Sequence, residues 1–199
     1  DDKYCIAIPG TKVRKMHTSR RDAFRPINTM PLAKIWPDGK IKMLKHSKIQ
    51  CAATKFNPKF YSKIALVKFV AGVGPEAMDS HLSKGCKGII IEGEGLGHVP
   101  VQSKHSWLPS IKKAIKKGVF VGMTSQCLYG RVNPNVYTNL RLISEAGVTF
   151  LDDMLPEAAY VKLGCVLART KSRAEATRLM KLNWVGEISE RIEKGTFLY

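Results

Sequence analysis

Short apolar runs alternate with amphipathic segments from residue 64 onward. The runs lie at 64–70, 88–92, 119–123 and 148–151. Their length and continuity are typical of strands that a parallel sheet buries on both faces. The intervening and following segments predict helices at 76–84, 107–117, 135–146, from near 156, at 171–180 and at 184–194. Repeated strand–helix units imply right-handed crossovers, so the pattern predicts an α/β domain with a parallel sheet.

The residues before 64 follow a different pattern. Two short segments, 32–35 and 40–43, flank a turn with Asp38 and Gly39, and this arrangement predicts a β-hairpin. From 44 to 63 no hydrophobic period is sustained, and the Asn57–Pro58 pair interrupts any helix. The expected organisation is therefore a hairpin-containing segment at 1–45, a linker at 46–63 and the α/β domain at 64–199.

The composition is that of a soluble globular protein, with 44% hydrophobic and 25% charged residues among 199. The longest nearly apolar run contains Lys68 and is too short to cross a membrane. No basic-then-apolar leader opens the chain, so we expect a cytoplasmic protein without a membrane partner.

Five cysteines lie far apart and form no Cys-x-x-Cys pair. This spacing argues against a disulfide framework and a metal site, and it favours buried thiols over a reactive one.

The formal net charge of +17 indicates an anionic partner, nucleic acid first. The excess is concentrated, since eight lysines and a single acid, Asp38, occur between Lys34 and Lys63. Within that stretch the expected nucleic-acid contacts are Lys42, Lys45, Lys48 and Lys55. A solubilising surface with no specific partner explains the same charge equally well.

Loops that follow strands are the expected ligand-binding region of a parallel sheet, here 72–75, 92–100 and 124–135. The second loop holds three glycines in five residues, which permit positive φ and a close approach of ligand to backbone. Its GxGxG spacing, followed by Val99 and Pro100 in place of a helix, argues against a dinucleotide site. His98 in this loop is a candidate donor to a substrate carboxylate; the alternative is a structural or merely exposed histidine.

Two further segments have ambiguous chemistry. Thr124, Ser125 and Gln126 leave the third strand and suit hydrogen bonding to a polar substrate, but they are equally suited to capping the next helix. Lys15 lies in a basic cluster with Arg14, Arg20 and Arg21, whose charges are expected to lower the pKa of the lysine and so suit it to proton transfer. The alternative for that cluster is a phosphate-binding or solvated patch. No local motif supplies a complete catalytic set.

Four ordered motifs across the chain resemble the asparaginase family, most closely its archaeal branch, the D subunit of the glutamyl-tRNA(Gln) amidotransferase. They are Lys15-Met-His-Thr-Ser-Arg-Arg-Asp-Ala-Phe-Arg-Pro-Ile-Asn28, Ile91-Glu-Gly-Glu-Gly-Leu-Gly-His-Val-Pro100, Thr124-Ser-Gln-Cys-Leu-Tyr-Gly-Arg-Val-Asn133, and Glu145-Ala-Gly-Val148 with Asp153-Met-Leu-Pro-Glu157 and Ala159-Tyr-Val-Lys-Leu163. The resemblance implies that 1–45 is the end of the family's N-terminal domain and that 64–199 is its C-terminal asparaginase-like domain.

The resemblance implies a function as well. Family members hydrolyse a side-chain amide, of glutamine or asparagine, with a threonine nucleophile assisted by a Thr-Asp-Lys group whose lysine matches Lys15. Their active sites form at a homodimer interface, where the parts that match Gly97, His98 and Asn135 complete the neighbour's pocket; Gln126 would help to shape it. No cofactor is bound directly. In the amidotransferase the ammonia passes to the partner E subunit, which uses ATP to amidate glutamate on tRNA(Gln).

The sequence also departs from the family pattern. The nucleophile and the Thr-Asp motif belong upstream of Lys15, and Thr11 is the sole threonine there, in a different context. The chain by itself is therefore expected to be inactive. Three hypotheses remain open: part of a tRNA-dependent glutaminase subunit, a fragment of a free-standing L-asparaginase, or a non-catalytic basic module that binds RNA or a partner.

Overall fold

The computed structural model describes residues 3–45 and 56–197. Its amino-terminal part contains five short strands, each of three residues, in two antiparallel sheets. The first sheet has the order β1–β4–β5 and the second pairs β2 with β3. Their bounds are β1 Cys5–Ala7, β2 Val13–Lys15, β3 Phe24–Pro26, β4 Ala33–Ile35 and β5 Ile41–Met43.

The predicted hairpin is confirmed. β4 and β5 pair antiparallel, and the backbone N–H of Trp36 donates to the carbonyl of Lys40 at 2.9 Å. Gly39 closes the turn with a φ of 86°, a conformation that L side chains rarely adopt. The Asp38 carboxylate also accepts the N–H of Lys40, which fixes the turn locally.

The second part of the chain is built on a parallel sheet of four strands in sequence order. The strands are β6 Ile64–Lys68, β7 Gly88–Gly93, β8 Phe120–Ser125 and β9 Thr149–Phe150. Every neighbouring pair is parallel, as the alternation of apolar runs and helical segments predicted. All carboxyl ends therefore lie at one edge of the sheet, the carboxyl edge, and all amino ends at the other, the amino edge.

The sheet is buried on both faces. Ile89, Ile90 and Ile91 of β7 are fully buried, and because side chains alternate along a strand, the first and third pack in one hydrophobic cluster and the second in the other. Helices α1 Glu76–Ser83, α2 Leu108–Lys116 and α3 Thr138–Glu145 pack on the first face. Helices α4 Pro156–Leu167 and α5 Arg173–Lys181 pack on the second. The α/β prediction is thus confirmed.

One predicted helix, at 184–194, is wrong. In its place the chain makes bends and a single 3₁₀ turn, Lys194–Thr196. The physical reason is Glu187, whose buried carboxylate accepts the backbone N–H groups of Trp184 at 3.0 Å and Val185 at 2.8 Å. Gly186, between Val185 and Glu187, has a φ of 87°, which a helix excludes. Side-chain hydrogen bonds therefore replace the helical ones that the pattern suggested.

The same carboxylate binds the ammonium of Lys162 on α4 at 2.6 Å, and both side chains are buried. Burial alone would raise the pKa of Glu187, but the hydrogen bonds from Lys162, Trp184 and Val185 outweigh it, so the pKa lies below its usual value. Burial lowers the pKa of Lys162, against the opposing effect of Glu187. This pair ties the carboxyl-terminal tail to α4.

A pH-dependent stability follows from the lowered pKa of Glu187. A depressed carboxyl pKa contributes stability that is present above the unfolded value near 4.5 and is lost as pH falls through the folded value. We expect Glu187→Gln to lower the free energy of unfolding at pH 7 by about 1.5–3 kcal/mol. The difference in Tm between the two forms should shrink below pH 4, measured by circular dichroism. A difference that is constant from pH 7 to pH 3 would contradict this assignment.

The described end of the predicted linker lies against α4. The N–H of Tyr61 donates to the carbonyl of Gly164 at 3.0 Å, and the Phe60 ring occupies the place where a Cβ at Gly164 would stand. A side chain at 164 would therefore displace Phe60. Residues 46–55 lie outside the described part, so the domain boundaries at 45 and 63 stay a prediction. None of the helices in the described part has the length and apolarity to cross a membrane.

Candidate functional site

A buried ion pair joins the β2–β3 ladder to the loop that follows β9. The Lys12 ammonium lies 2.5 Å from Asp153 Oδ2 and 3.0 Å from the Asp153 carbonyl, across 141 residues of sequence. Lys12 is 1% exposed and Asp153 is 4% exposed. Burial lowers the pKa of Lys12 despite the opposing effect of Asp153. Lys12 directly precedes β2, so the pair fixes the start of the strand that ends at Lys15.

A second link is made at the same end of the ladder, where Asn28 follows β3 beside the start of β2. The Asn28 side chain donates to the Gly130 carbonyl at 2.9 Å and accepts the Gly130 N–H at 3.0 Å. Asn28 has a φ of 55°, which asparagine tolerates better than most residues. The Ser189 N–H donates to Asp153 Oδ1 at 2.9 Å, so the carboxyl-terminal tail joins this region too. The ladder is thus attached to three separate parts of the chain, and its position is fixed by long-range contacts.

Lys15 is exposed at the end of β2 and lines a cavity of about 580 Å³. The cavity lies between the β2 region, the start of α4 and the carboxyl-terminal tail, and apolar side chains such as Leu155, Val161 and Trp184 form much of its wall. Thr11 lines it as well, and its buried hydroxyl makes no hydrogen bond within the described residues. A cavity of this size is in the range that holds small-molecule ligands.

Two arginines of the basic cluster around Lys15 take part in ion pairs. Arg14 pairs with Glu157 at 2.5 Å, and Arg20 pairs with Asp22 at 2.7 Å. The Asp22 carboxylate also binds Arg25 at 2.9 Å, and hydrogen bonding to Arg20 holds the pKa of Asp22 well below its usual range. Arg14 is paired with a residue of α4 and Arg20 with one two positions away, so the cationic neighbours of Lys15 are partly neutralised.

The glycine loop after β7 is a compact turn at the carboxyl edge. The His98 N–H donates to the Glu94 carbonyl at 2.7 Å, and the Glu94 N–H donates to the His98 carbonyl at 2.9 Å. Gly97 has a φ of 102°, and a Cβ there would stand 2.8 Å from the Met123 side chain. The glycine at 97 is therefore required both by backbone conformation and by close packing.

His98 and the segment 133–137 lie together. The His98 ring centroid is 5.2 Å from that of Tyr137, and the Asn133 N–H donates to the Leu96 carbonyl at 3.1 Å. Asn135 is exposed; its N–H donates to Asn133 Oδ1 at 2.9 Å. This side-chain turn explains why α3 begins at Thr138 and not at Asn135 as predicted.

The three polar residues that leave β8 are used for internal hydrogen bonds. Thr124 Oγ1 donates to the Ile91 carbonyl at 3.0 Å, and Ser125 Oγ donates to the Gly95 carbonyl at 2.6 Å. The Gln126 amide nitrogen lies 2.6 Å from the Phe69 carbonyl and 3.1 Å from the Glu92 carbonyl. They do not cap α3, so that alternative is wrong. They hold the loops of the carboxyl edge in register, which positions the glycine loop.

The structure brings together some of the predicted site residues and separates others. The carboxyl edge brings together Gly97, His98 and Asn135, and the Gln126 amide donates to backbone carbonyls there. None of these four residues lines the cavity that contains Lys15. Sequence reasoning missed Lys12 and Asp153, since a lysine before a short strand and the second of two consecutive acids give no local signal of burial.

Two of the four proposed nucleic-acid residues are among the described residues. Lys42 is exposed on β5, and Lys45 Nζ donates to Thr29 Oγ1 at 3.1 Å. Lys48 and Lys55 lie outside the described residues. A continuous surface of all four is therefore still a prediction.

The fold and the site define the class of protein. It is a parallel α/β domain with polar loops at the carboxyl edge, joined to a two-stranded ladder that ends at an exposed lysine. Residues 63–180 match the model of the Glutaminase/Asparaginase C-terminal domain, and the chain belongs to that family. The recognition of the asparaginase family from the sequence motifs is thereby confirmed.

Relatives and solved structures agree with this membership. The chain is 52% identical to the D subunit of glutamyl-tRNA(Gln) amidotransferase from Pyrococcus furiosus and 50% identical to that of Thermococcus kodakarensis, over 99% of this chain in each case. It spans 44% of the length of each of these relatives. The thermostable L-asparaginase from Thermococcus kodakarensis superposes with a TM-score of 0.84 at 29% identity, covering 92% of this chain and 54% of that one.

Proposed function

We propose that this chain is the carboxyl-terminal part of the amide-hydrolysing D subunit of a tRNA-dependent amidotransferase. In this role it helps to release ammonia from glutamine for the conversion of Glu-tRNA(Gln) to Gln-tRNA(Gln). The observation that carries the proposal is the identity of 50–52% to subunits of that name over 99% of the chain. The identity to the L-asparaginase structure is 29%, which favours the amidotransferase branch.

Lys15 would act in proton transfer within this subunit. It is an exposed lysine that lines a cavity with a largely apolar wall, on a strand whose start is fixed by the buried Lys12–Asp153 pair. A positioned lysine that gives or takes a proton beside a nucleophile is one of the ordinary means of general acid–base catalysis. The nucleophilic threonine would come from outside the 199 residues.

Gly97, His98, Asn135 and Gln126 would contribute to the pocket of a second subunit. In one chain they are absent from the cavity that contains Lys15, as expected if active sites are completed across a homodimer. His98 would present its ring beside Tyr137, while Gln126 would act by holding the loop in place.

The remaining partners follow from the same proposal. Ammonia would pass to a partner E subunit, which would use ATP, and tRNA(Gln) would be bound by the complex in the cytoplasm. No cofactor is required for amide hydrolysis by a threonine, a lysine and water. The exposed lysines at 42 and 45, with those at 48 and 55, would add contacts to tRNA phosphates.

A chimera tests the proposal directly. The matching 199 residues of the Pyrococcus furiosus protein are replaced by this chain, giving a full-length protein, termed the chimera below. We expect the chimera to release ammonia from glutamine and the 199-residue chain alone to release none, in a coupled ammonia assay. The unmodified Pyrococcus protein is the positive control. A folded chimera without any amide hydrolysis would contradict the enzymatic interpretation and favour a non-catalytic binding module.

An L-asparaginase fragment is the second candidate, because the superposition on an L-asparaginase covers 92% of this chain. The same chimera distinguishes the two. Hydrolysis of asparagine with a much higher kcat/KM than glutamine would favour the asparaginase. Preference for glutamine, increased by tRNA, would favour the amidotransferase.

A further inference from the structure

Three lysines lie at or shortly before the starts of three neighbouring strands. Lys63 directly precedes β6, Lys87 directly precedes β7, and Lys117, which follows the last residue of α2, comes three residues before β8. The Lys87 N–H donates to the Lys63 carbonyl at 2.9 Å, and the Phe120 N–H donates to the Lys87 carbonyl at 3.0 Å. Since paired strands lie about 4.8 Å apart, Lys63 and Lys87 begin a lysine row along the amino edge of the sheet, and Lys117 lies in the connection that enters the sheet at the same edge.

Two helix ends extend that row. Helices α1 and α2 each return the chain from the carboxyl edge to the amino edge, so both end beside the lysine row. Lys84 follows the end of α1, and Lys116 is the last residue of α2. All five lysines are exposed, and within the described ranges none of them takes part in an ion pair.

The two edges of the sheet differ in charge. The carboxyl edge carries both signs: Glu92, Glu94 and Asp152 are at least partly exposed there, and the exposed Lys68 lies opposite Glu92 in the β6–β7 register. Asp153, also after β9, is buried and paired with Lys12. At the amino edge of β6, β7 and β8 the chain segments that carry the five lysines include no acid; Glu145 lies at the end of α3, beside the start of β9. A surface that serves solubility alone mixes both signs, as the carboxyl edge does, so the single sign of the amino-edge segments indicates an anionic partner.

Helix stabilisation accounts for only part of the set. Lysines near a helix C-terminus interact favourably with the helix dipole, which explains Lys84, Lys116 and Lys117. Lys63 and Lys87 are outside the last turn of any described helix, at the entries to strands. Five exposed ammonium groups at one edge create a positive local potential, which attracts polyanions such as nucleic acid.

We propose that the amino edge, formed by Lys63, Lys84, Lys87, Lys116 and Lys117, binds the phosphate backbone of RNA. The proposal rests on the proposed function, in which the substrate is attached to a tRNA. It places the RNA at the amino ends of the strands, away from the loops of the carboxyl edge. Lysine is a point-charge phosphate ligand without planar recognition of bases. The contact therefore adds affinity that depends on salt and not on sequence.

A matched pair of triple variants in the chimera tests the surface. The edge variant carries Lys63→Gln, Lys87→Gln and Lys117→Gln. The control carries Lys68→Gln, Lys104→Gln and Lys181→Gln, three lysines that are also exposed but lie elsewhere. Each set lowers the formal charge of this chain from +17 to +14, by subtraction of three. Fluorescence anisotropy with labelled tRNA at several salt concentrations gives the affinity and its dependence on salt.

We expect the edge variant to reduce the magnitude of the log–log salt slope by about 2–3, since each lost phosphate contact accounts for about 0.7–0.9. Its affinity at about 0.1 M salt should fall at least tenfold, while the control stays within about twofold. Equal losses in the two variants would show that binding follows total charge, and no loss in either would show that the edge is unused; both overturn the proposal. So would an edge variant that loses affinity for phosphatidylserine vesicles and keeps it for tRNA.

The experiments distinguish a failure of the RNA-binding surface from a failure of the proposed glutaminase function. If the unmodified chimera hydrolyses no amide, the glutaminase proposal fails whatever the two triple variants do. If the chimera is active but the edge and control variants bind tRNA equally, only the RNA surface fails.

Discussion

Replacing Lys15 with alanine in the chimera should lower kcat for glutamine hydrolysis by about 10²–10⁴-fold, the range for loss of a positioned acid–base group. The side chain is exposed at the end of β2 and makes no ion pair within the described residues, so its removal should leave Tm nearly unchanged. Steady-state ammonia release and thermal unfolding, measured on the same preparation, check both parts.

Lys15→Arg separates charge from proton transfer. Arginine keeps the positive charge but stays protonated at all accessible pH values, so it should be nearly as inactive as alanine. Lys68→Ala is the matched control, since Lys68 is likewise an exposed lysine at the last position of a strand, β6. The assignment of Lys15 would be wrong if Lys15→Ala kept more than a tenth of the activity, or if Lys15→Arg restored it.

Replacing Lys12 with methionine should have the largest effect on stability. It leaves the Asp153 carboxylate buried with the Ser189 N–H as a partner but without its counter-charge. Breaking a buried pair in this way costs about 3–5 kcal/mol. A unit of about 150–250 residues loses about 2–4 °C of Tm per kcal/mol, so the longer chimera should lose less than the roughly 6–20 °C that this range gives. Thermal unfolding of the chimera followed by circular dichroism gives the shift for the unit that contains this chain.

The double variant Lys12→Met, Asp153→Leu provides the internal control. Removing both charges leaves no unpaired ion, so much of the lost stability should return. Lys181→Met, at an exposed position, should change the free energy of unfolding by less than about 0.5 kcal/mol. A Lys12→Met variant as stable as that control would mean that the ion pair does not hold the β2–β3 ladder in place.

The two substitutions together test how stability and function are connected in this chain. Lys12 and Lys15 are three residues apart, yet the first is buried in an ion pair and the second faces a cavity. The Lys12→Met substitution should reduce both Tm and activity, because the strand that carries Lys15 loses its attachment. A loss at Lys15 should reduce activity alone.

The hydrophobic pattern by itself determined the architecture of the α/β domain. The run that includes Ile89, Ile90 and Ile91 predicted a strand buried on both faces, and the structure places those side chains alternately in two clusters. Gly118 and Gly147 end α2 and α3 with positive φ, as their sequence positions indicated. These features depend on neighbours within a few residues, which is why sequence is sufficient for them.

Tertiary structure alone decided which polar residues are buried and what they bind. Lys12 meets Asp153 across 141 residues, and Glu187 meets Lys162 across 25. Glu187 also replaced a predicted helix with a turn, because its carboxylate accepts backbone N–H groups that a helix would have satisfied. The energies that decide such contacts come from desolvation and from partners distant in sequence, and a local pattern contains no information on either.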